Sequence, residues 1–218
     1  MFRRIARWVK NLFKKKEVTR EMTPTVSPPD MVTEFTPLKY IEHYRNLWSS
    51  MVIREEKKST IAWYVNMIKK NEARYKEVAA VSLVPWEVIG AIHLLESGGS
   101  FEGVLHNGDK IIGTGRKTYR VPKNRGPFNS WLEAAIDALS IKKQPEIWNV
   151  ENTLYYMERY NGLGYLRDSR KPHSPYLWSF SKHYARGKYI FDDRYSSTAV
   201  SKQCGVAVIL KELGFKFK

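Results

Sequence analysis

A carboxylate followed by Ser-Gly-Gly is the side chain in this sequence that is best placed to transfer a proton. Glu96 ends an apolar stretch, 88–95, whose residues recur at helical spacing, and Gly98 and Gly99 then end the predicted helix. The carboxyl group therefore lies on the last turn, where the helix dipole is negative. Apolar neighbours and this dipole both disfavour ionisation, so we expect the pKa of Glu96 to be raised. A carboxylic acid that stays protonated near neutral pH can serve as a general acid.

The same residues have a simpler interpretation, because a Glu before Ser-Gly-Gly also occurs at ordinary solvated helix ends. His93 precedes Glu96 by three residues and lies on the same side of the predicted helix. We interpret His93 as an interior histidine whose hydrogen bonds are satisfied. The histidines and the one cysteine lack the spacing of metal ligands, and no glycine-rich phosphate loop opens a helix. The sequence therefore predicts no metal and no cofactor.

The elements that must position Glu96 are predicted to be mainly helical. Apolar residues keep helical spacing from Leu38 to the Glu96 helix, and the spacing returns in four later segments, 130–143, 151–160, 174–185 and 197–213. Residues 101–122 are glycine-rich and lack this periodicity, so they predict a small β-hairpin or an irregular lobe. The predicted fold class is mainly α (α+β), with this β-hairpin lobe inside one helical domain over 38–218.

The N-terminal segment is predicted to form a separate basic amphipathic helix over residues 1–16. Its apolar side chains fall on one helical face and most of its arginines and lysines on the other, which is typical of helices in a membrane interface. Docking of the apolar face on the main domain stays open as an alternative. Residues 17–37 are rich in threonine and proline, lack apolar periodicity, and predict a linker.

The composition indicates a folded protein with a polyanionic partner. Hydrophobic residues make up 43% of the 218-residue chain, which excludes wholesale disorder. The formal net charge of +15 favours nucleic acid, an anionic membrane or an anionic cell wall as the partner. No basic helix is joined to a recognised nucleic-acid motif, so we expect no specific nucleic-acid partner. A non-enzymatic basic protein that binds membranes or nucleic acid stays open as a different class.

Cysteine usage and hydropathy bear on the compartment in which the chain folds. Cys204 is the only cysteine, so no intrachain disulfide can form, in keeping with a reducing cytoplasm. It lies in an apolar run, and we expect a buried core residue rather than a nucleophile. No apolar run is long enough to span a membrane, and no cleavable signal peptide is recognised.

Two short motifs and the order of the predicted elements resemble the lysozyme superfamily, which includes goose-type lysozymes, lytic transglycosylases and phage endolysins. The first motif is residues 91–99, and the second is Glu-Arg-Tyr-Asn-Gly at 158–162. The second is similar to the Tyr-Asn-Ala-Gly element of lytic transglycosylases, although Gly162 and Leu163 replace its Ala-Gly. Residues 174–178 and 203–205 resemble segments of small bacterial and phage cell-wall lysins. The resemblance covers about residues 40–215.

The resemblance implies an enzyme that cleaves the β-1,4 bond between N-acetylmuramic acid and N-acetylglucosamine in bacterial peptidoglycan. Glu96 matches the catalytic acid, and Tyr160 and Asn161 match the pair that lines the sugar site near the scissile bond. Hydrolysis and lytic transglycosylation, which forms a 1,6-anhydro product, are both open. Further substrate-binding groups are expected at Ser97, Gly98 and Tyr176, with stacking of sugar rings on aromatic side chains such as Tyr165 and Trp178.

The resemblance is less specific about a second catalytic carboxylate. Phage-type lysozymes use a Glu, an Asp and a Thr in that order, which would correspond to Glu96, Asp109 and Thr114. The gap before Asp109 is longer than in that pattern, and Asn-Gly-Asp is also a good turn sequence. Glu102 and Glu158 are other candidates.

The same resemblance implies the partners and the place of action. We expect a monomer that is made in the cytoplasm of a bacterial host and acts on peptidoglycan in the periplasm or cell wall. Residues 1–16 would add contact with an anionic membrane or outer-membrane surface. Release at lysis and transport in a virus particle both stay open.

Overall fold

A computed structural model describes residues 35–191 and 194–217 of the chain. All of them belong to one compact unit that begins at Glu34. The predicted amphipathic helix at 1–16 lies outside the described residues, as does all of the predicted linker except its last three residues.

The described part of the chain is mainly helical, as the sequence predicts, with nine α-helices and one two-stranded hairpin. The elements are α1 (Leu38–Ser49), α2 (Lys58–Lys70), α3 (Glu72–Ser82), α4 (Trp86–Ser97), α5 (Trp131–Ser140), α6 (Val150–Asn161), α7 (Gly164–Arg167), α8 (Pro175–Trp178), β1 (Lys188–Phe191), β2 (Arg194–Ser196) and α9 (Val206–Leu213). One 3₁₀ turn, Glu55–Lys57, precedes α2.

Helix α4 runs through the core and carries Glu96 at its end. Every residue from Val88 to Leu95 is buried, and α4 packs against α2, α3 and α9. Close approach to α2 depends on Gly90, because a Cβ at this position would overlap the side chain of Ile68. Burial of each large aliphatic side chain in such a core stabilises the fold by about 1.5–3 kcal/mol. The helix that presents Glu96 is therefore held rigidly.

The end of α4 is set by two glycines, as the sequence predicts. Gly98 has a φ of +62°, a left-handed conformation that disfavours other residue types. Its N–H donates to the carbonyl of Leu94 at 3.1 Å, and the N–H of Gly99 donates to that of His93 at 3.3 Å. The chain therefore leaves the helix directly after Ser97, one residue beyond the carboxylate.

The hairpin lies elsewhere than predicted. Strands β1 and β2 pair antiparallel between 188 and 196, with Tyr189 opposite Tyr195. Residues 101–122 instead form an irregular lobe. Among its residues, all of which the structure describes, the only β-type pairing is an isolated bridge between Gly103 and Lys110. Side chains such as Thr118 accept and donate bonds to the lobe's backbone, in place of a strand ladder. The prediction of a hairpin at 101–122 was therefore wrong.

Two predicted helices are shorter than expected. The segment 174–185 is helical only in α8, because the backbone turns at Phe180, where φ is +72°. The segment 197–213 is helical only in α9, and Gly205 before it packs on the carbonyl of Leu177. In both places tertiary contacts of the backbone override the helical spacing of the side chains.

No helix of the described residues is by itself long and apolar enough to cross a membrane. Helices α3 and α4 together reach the required length and composition, but they are bent by 113° where they join.

Candidate active site

Glu96 combines a buried setting with access to the surface. Glu96 is partly exposed, although all eight residues before it are buried. The hydroxyl of Tyr176, in α8, lies 3.4 Å from Oε1 of Glu96 and donates to it. Burial raises the pKa of Glu96 to about 7, while the Tyr176 hydrogen bond and the charge of Lys142 lower it. The carboxyl group can therefore hold and release a proton near neutral pH.

Tyr160, at the end of α6, is the second phenol beside Glu96. Its hydroxyl donates to the carbonyl of Leu105 at 2.6 Å, which ties α6 to the segment that follows α4. Burial raises the pKa of both Tyr160 and Tyr176, and the charge of Glu96 raises them further. Both phenols therefore stay protonated, and the Tyr176 proton is directed at the carboxylate.

A groove of about 780 Å³ lies beside this group. Tyr176 and Asn161 line it together with Leu95, the residue before Glu96. Its other walls come from the lobe, the turn after α6, α7, the start of α8, the β-hairpin and the segment before α9. The lining residues there are Val121, Gly162, Gly164, Tyr165, Pro175, Lys188, Tyr189, Ile190, Phe191, Ser201, Gln203 and Cys204. The groove is large enough for a ligand of several rings. Neither Glu96 nor Tyr160 is among the described residues that line it, and Glu96 meets the groove through its hydrogen bond with Tyr176.

Lys142 also acts on the Glu96 carboxyl, and no sequence pattern predicts this role. It lies on the link between α5 and α6 and is half-buried. Its Nζ donates to the carbonyls of Arg159 at 2.5 Å and Tyr160 at 3.2 Å, and lies 5.4 Å from the centroid of the Tyr160 ring. No local pattern distinguishes Lys142 from the exposed Lys143 that follows it. Lys142 takes this position only because folding brings the link between α5 and α6 to the end of α6.

Asp109 has a local partner instead of a place in the groove. Its carboxylate is fully buried, and Oδ2 accepts the N–H groups of Tyr119 at 2.9 Å and Arg120 at 3.1 Å. Its Oδ1 lies 3.5 Å from Nε of Arg120. The backbone does approach the catalytic candidate, because a Cβ at Gly108 would overlap the carbonyl oxygen of Glu96. These contacts favour the interpretation of Asp109 as a residue that organises the lobe.

Other candidate site residues also make local contacts. Thr114 is exposed, donates to the carbonyl of Ile111 at 2.8 Å, and so belongs to a turn. The Ser97 hydroxyl donates to the carbonyl of His93 at 3.0 Å, and Gly98 serves as the helix end. Glu102 is exposed and lies 3.3 Å from Nζ of Lys110. None of these contacts involves Glu96 or a residue that lines the groove.

Glu158 and Trp178 lie in the interior rather than at the groove. Glu158 is 2% exposed and accepts the Tyr44 hydroxyl at 2.7 Å, which joins α6 to α1. Burial raises the pKa of Glu158 to about 7, although the Tyr44 hydrogen bond lowers it. Trp178 is 1% exposed, so the expected stacking of a sugar ring on it was wrong. Tyr165, in contrast, does line the groove.

His93 is the interior histidine that the sequence predicts. Its Nδ1 lies 2.9 Å from the Tyr75 hydroxyl, and its Nε2 lies 3.1 Å from the carbonyl of Ser100. Burial lowers the pKa of His93 to about 4, so the ring is neutral at physiological pH. Cys204 is fully buried, as predicted, and burial raises the pKa of its thiol. Within 35–191 and 194–217, no group of three or more His, Cys, Asp or Glu side chains is arranged to hold a metal ion.

Comparisons of the chain with protein-family models, with curated proteins and with solved structures gave no match. The function therefore has to be argued from the geometry of the groove and of the groups around Glu96.

Proposed function

We propose that this chain is a peptidoglycan-cleaving glycosidase that cuts the β-1,4 bond between N-acetylmuramic acid and N-acetylglucosamine. The observation that carries the proposal is the Glu96 carboxyl, whose pKa is raised to about 7 and which contacts the groove through Tyr176. Glycoside cleavage requires such a group, because the leaving oxygen has to be protonated as its bond to the sugar breaks.

In the first step, protonated Glu96 donates its proton to the glycosidic oxygen. The bond from this oxygen to C1 of the muramic acid breaks, and positive charge develops on that sugar ring. Glu96 becomes a carboxylate, which the Tyr176 hydroxyl stabilises by its hydrogen bond. In this proposal Asn161, which lines the groove at the end of α6, binds the sugar next to this bond.

In the second step, the muramic acid's own 6-hydroxyl attacks C1 and passes its proton to the Glu96 carboxylate. This route closes a 1,6-anhydro ring and regenerates the acid, so a single carboxylate serves as acid and then as base. This route needs one carboxyl group beside the groove, and Glu96, which accepts a hydrogen bond from the groove-lining Tyr176, supplies it. A pKa near 7 suits both roles, since each protonation state is well populated.

Hydrolysis is the second candidate for this step. An inverting mechanism needs a second carboxylate about 6.5–9.5 Å from the acid, with a water molecule between them. Asp109 follows Gly108, which packs on the Glu96 backbone, but it would have to leave the N–H groups of Tyr119 and Arg120 to reach that water. Hydrogen bonds to a charged group contribute about 1.5–3 kcal/mol each, so the observed arrangement favours transglycosylation.

Mass spectrometry of the soluble products released from purified peptidoglycan tests the proposal. We expect muropeptides with 1,6-anhydro ends, which are lighter by one water than reducing ends. Products with reducing ends would still show glycosidase activity, but with hydrolysis in place of the intramolecular second step. Release of no glycan fragment by the folded protein, over a pH range that spans the pKa of Glu96, would reject the proposal.

A further inference from the structure

A half-buried lysine beside Tyr160 has no role in the two steps above. Lys142 reaches the C-terminal end of α6 and donates to two carbonyls there, those of Arg159 and Tyr160. Its ammonium group also lies over the ring of Tyr160, 5.4 Å from the centroid. These three contacts with Arg159 and Tyr160 therefore fix the position of the Lys142 ammonium group.

The surroundings of Lys142 show why the ammonium group is held there. The C-terminal end of a helix carries partial negative charge, and a cation at that end is favoured. Burial lowers the pKa of Lys142 and the charge of Arg159 lowers it too, whereas the charge of Glu96 raises it. Lys142 and Glu96 therefore act on one another electrostatically, in addition to the contacts that each makes.

We propose that Lys142 is a positioning residue, whose ammonium group fixes the end of α6 and places a positive charge that stabilises the Glu96 carboxylate formed when the acid gives up its proton. The proposal rests on the proposed function, since it assigns Lys142 a part in the same reaction. A charge that favours the carboxylate over the acid assists proton donation, because the negative charge develops only as the bond breaks.

Three groups from different elements act on the Glu96 carboxyl. The Tyr176 hydroxyl donates to it from α8, while Tyr160 in α6 and Lys142 on the link between α5 and α6 interact with it electrostatically. Among these groups only Lys142 carries a positive charge at neutral pH, since both phenols stay neutral. Arg159 contributes indirectly, because it acts on Lys142.

Titration of the Glu96 carboxyl by carbon-13 NMR tests the coupling without any substrate. Its resonance is identified as the one missing from the spectrum of E96Q. The variants to compare are K142Q, which keeps donors but loses the charge, K142M, which loses both, and K142R, which keeps both. K143M is the matched control, because Lys143 is the adjacent lysine and is exposed.

We expect the titration midpoint of Glu96 to rise by about one pH unit in K142Q and K142M, because an adjacent positive charge is lost. K142R and K143M should titrate like the wild type. In the glycan assay, kcat should fall about tenfold in K142Q with little change in KM, and the basic limb of the pH profile should move upwards.

An unchanged midpoint in folded K142Q would overturn the proposal, and so would an equal shift in K143M. If neither neutral variant folds at 25 °C, Lys142 is a determinant of the fold and the proposal also fails. Shifted midpoints in a protein that cleaves no glycan would leave the coupling standing and reject the proposed function instead, so the two failures are distinguishable.

Discussion

The protonation state of Glu96 depends on opposing effects at the scale of single residues. Burial at the end of α4 favours the neutral acid, while the Tyr176 hydroxyl and the Lys142 charge favour the carboxylate. Near pH 7 these effects leave both forms populated. Each opposing group can therefore be removed singly, and the direction of the change in pKa is known in advance.

Replacing Tyr176 by Phe removes the hydrogen-bond donor to the Glu96 carboxylate. Because that hydrogen bond lowers the pKa of Glu96, we expect the Y176F variant to raise it and to move the basic limb of the pH profile upwards. The donor–acceptor distance of 3.4 Å predicts a shift below about one unit. The measurement is the pH dependence of kcat on solubilised peptidoglycan strands. Y155F, elsewhere on α6, is the control, and a downward shift in Y176F would contradict the assignment.

Glu158 predicts a pH dependence of stability that is separate from catalysis. Its pKa is raised from 4.5 to about 7 in the folded protein, so the folded state binds the proton more tightly than the unfolded state. The free energy of unfolding should therefore fall as pH rises from about 4.5 to about 7, by at most about 3 kcal/mol for this group. Urea denaturation at pH 5 and pH 8 should show a smaller fall in E158Q than in the wild type. A fall of wild-type size in E158Q would show that other groups carry it, and E102Q, at an exposed position, is the control.

At the scale of elements, the sequence is most informative where a local conformation decides the outcome. The end of α4 is predictable, because two glycines follow a run of apolar residues and the first adopts a positive φ. The lobe is not, because its shape depends on Asp109 and Thr118, which bind backbone groups about ten and four residues further along. The real hairpin has only three and four residues per strand, too few for a clear alternation.

Replacing Asp109 by Ala separates its two possible roles. The N–H groups of Tyr119 and Arg120 lose their acceptor in D109A, so we expect the free energy of unfolding to fall by about 1–3 kcal/mol. Under conditions where the variant is folded, anhydro products should still form at a rate within about tenfold of the wild type. Urea denaturation and product mass spectrometry measure the two effects. Loss of all cleavage in folded D109A would instead support a catalytic carboxylate at this position.

At the scale of the whole molecule, the relevant features are the net charge and the division of the chain into two units. The net charge of +15 favours binding to polyanionic surfaces, and salt should weaken that binding. The groups around Glu96 and the groove lie in the unit that begins at Glu34. The candidate acid could be predicted from sequence, since Glu96 lies in one short motif. The roles of Lys142 and of the β-hairpin residues that line the groove could not be predicted, because folding brings them to the site from distant segments.

Deleting residues 1–30 tests whether the basic N-terminal segment and the site have separate tasks. We expect the truncated protein to release glycan fragments from purified peptidoglycan at the wild-type rate, since the groove lies in the later unit. Lysis of intact Gram-negative cells should be slower, because the predicted amphipathic helix would be missing. Both are measured as a decrease in turbidity. An equal loss in the two assays would reject this division of tasks.

In the proposed reaction one carboxyl group, that of Glu96, supplies the proton for glycan cleavage. The most direct test is the rate at which wild-type, E96Q and E102Q proteins release soluble fragments from purified peptidoglycan near pH 6, after each variant is shown to be folded. We predict that E96Q loses at least about a hundredfold, because an amide cannot donate the proton, while the exposed control E102Q keeps the wild-type rate. A folded E96Q that releases fragments at more than about a hundredth of the wild-type rate would contradict the account.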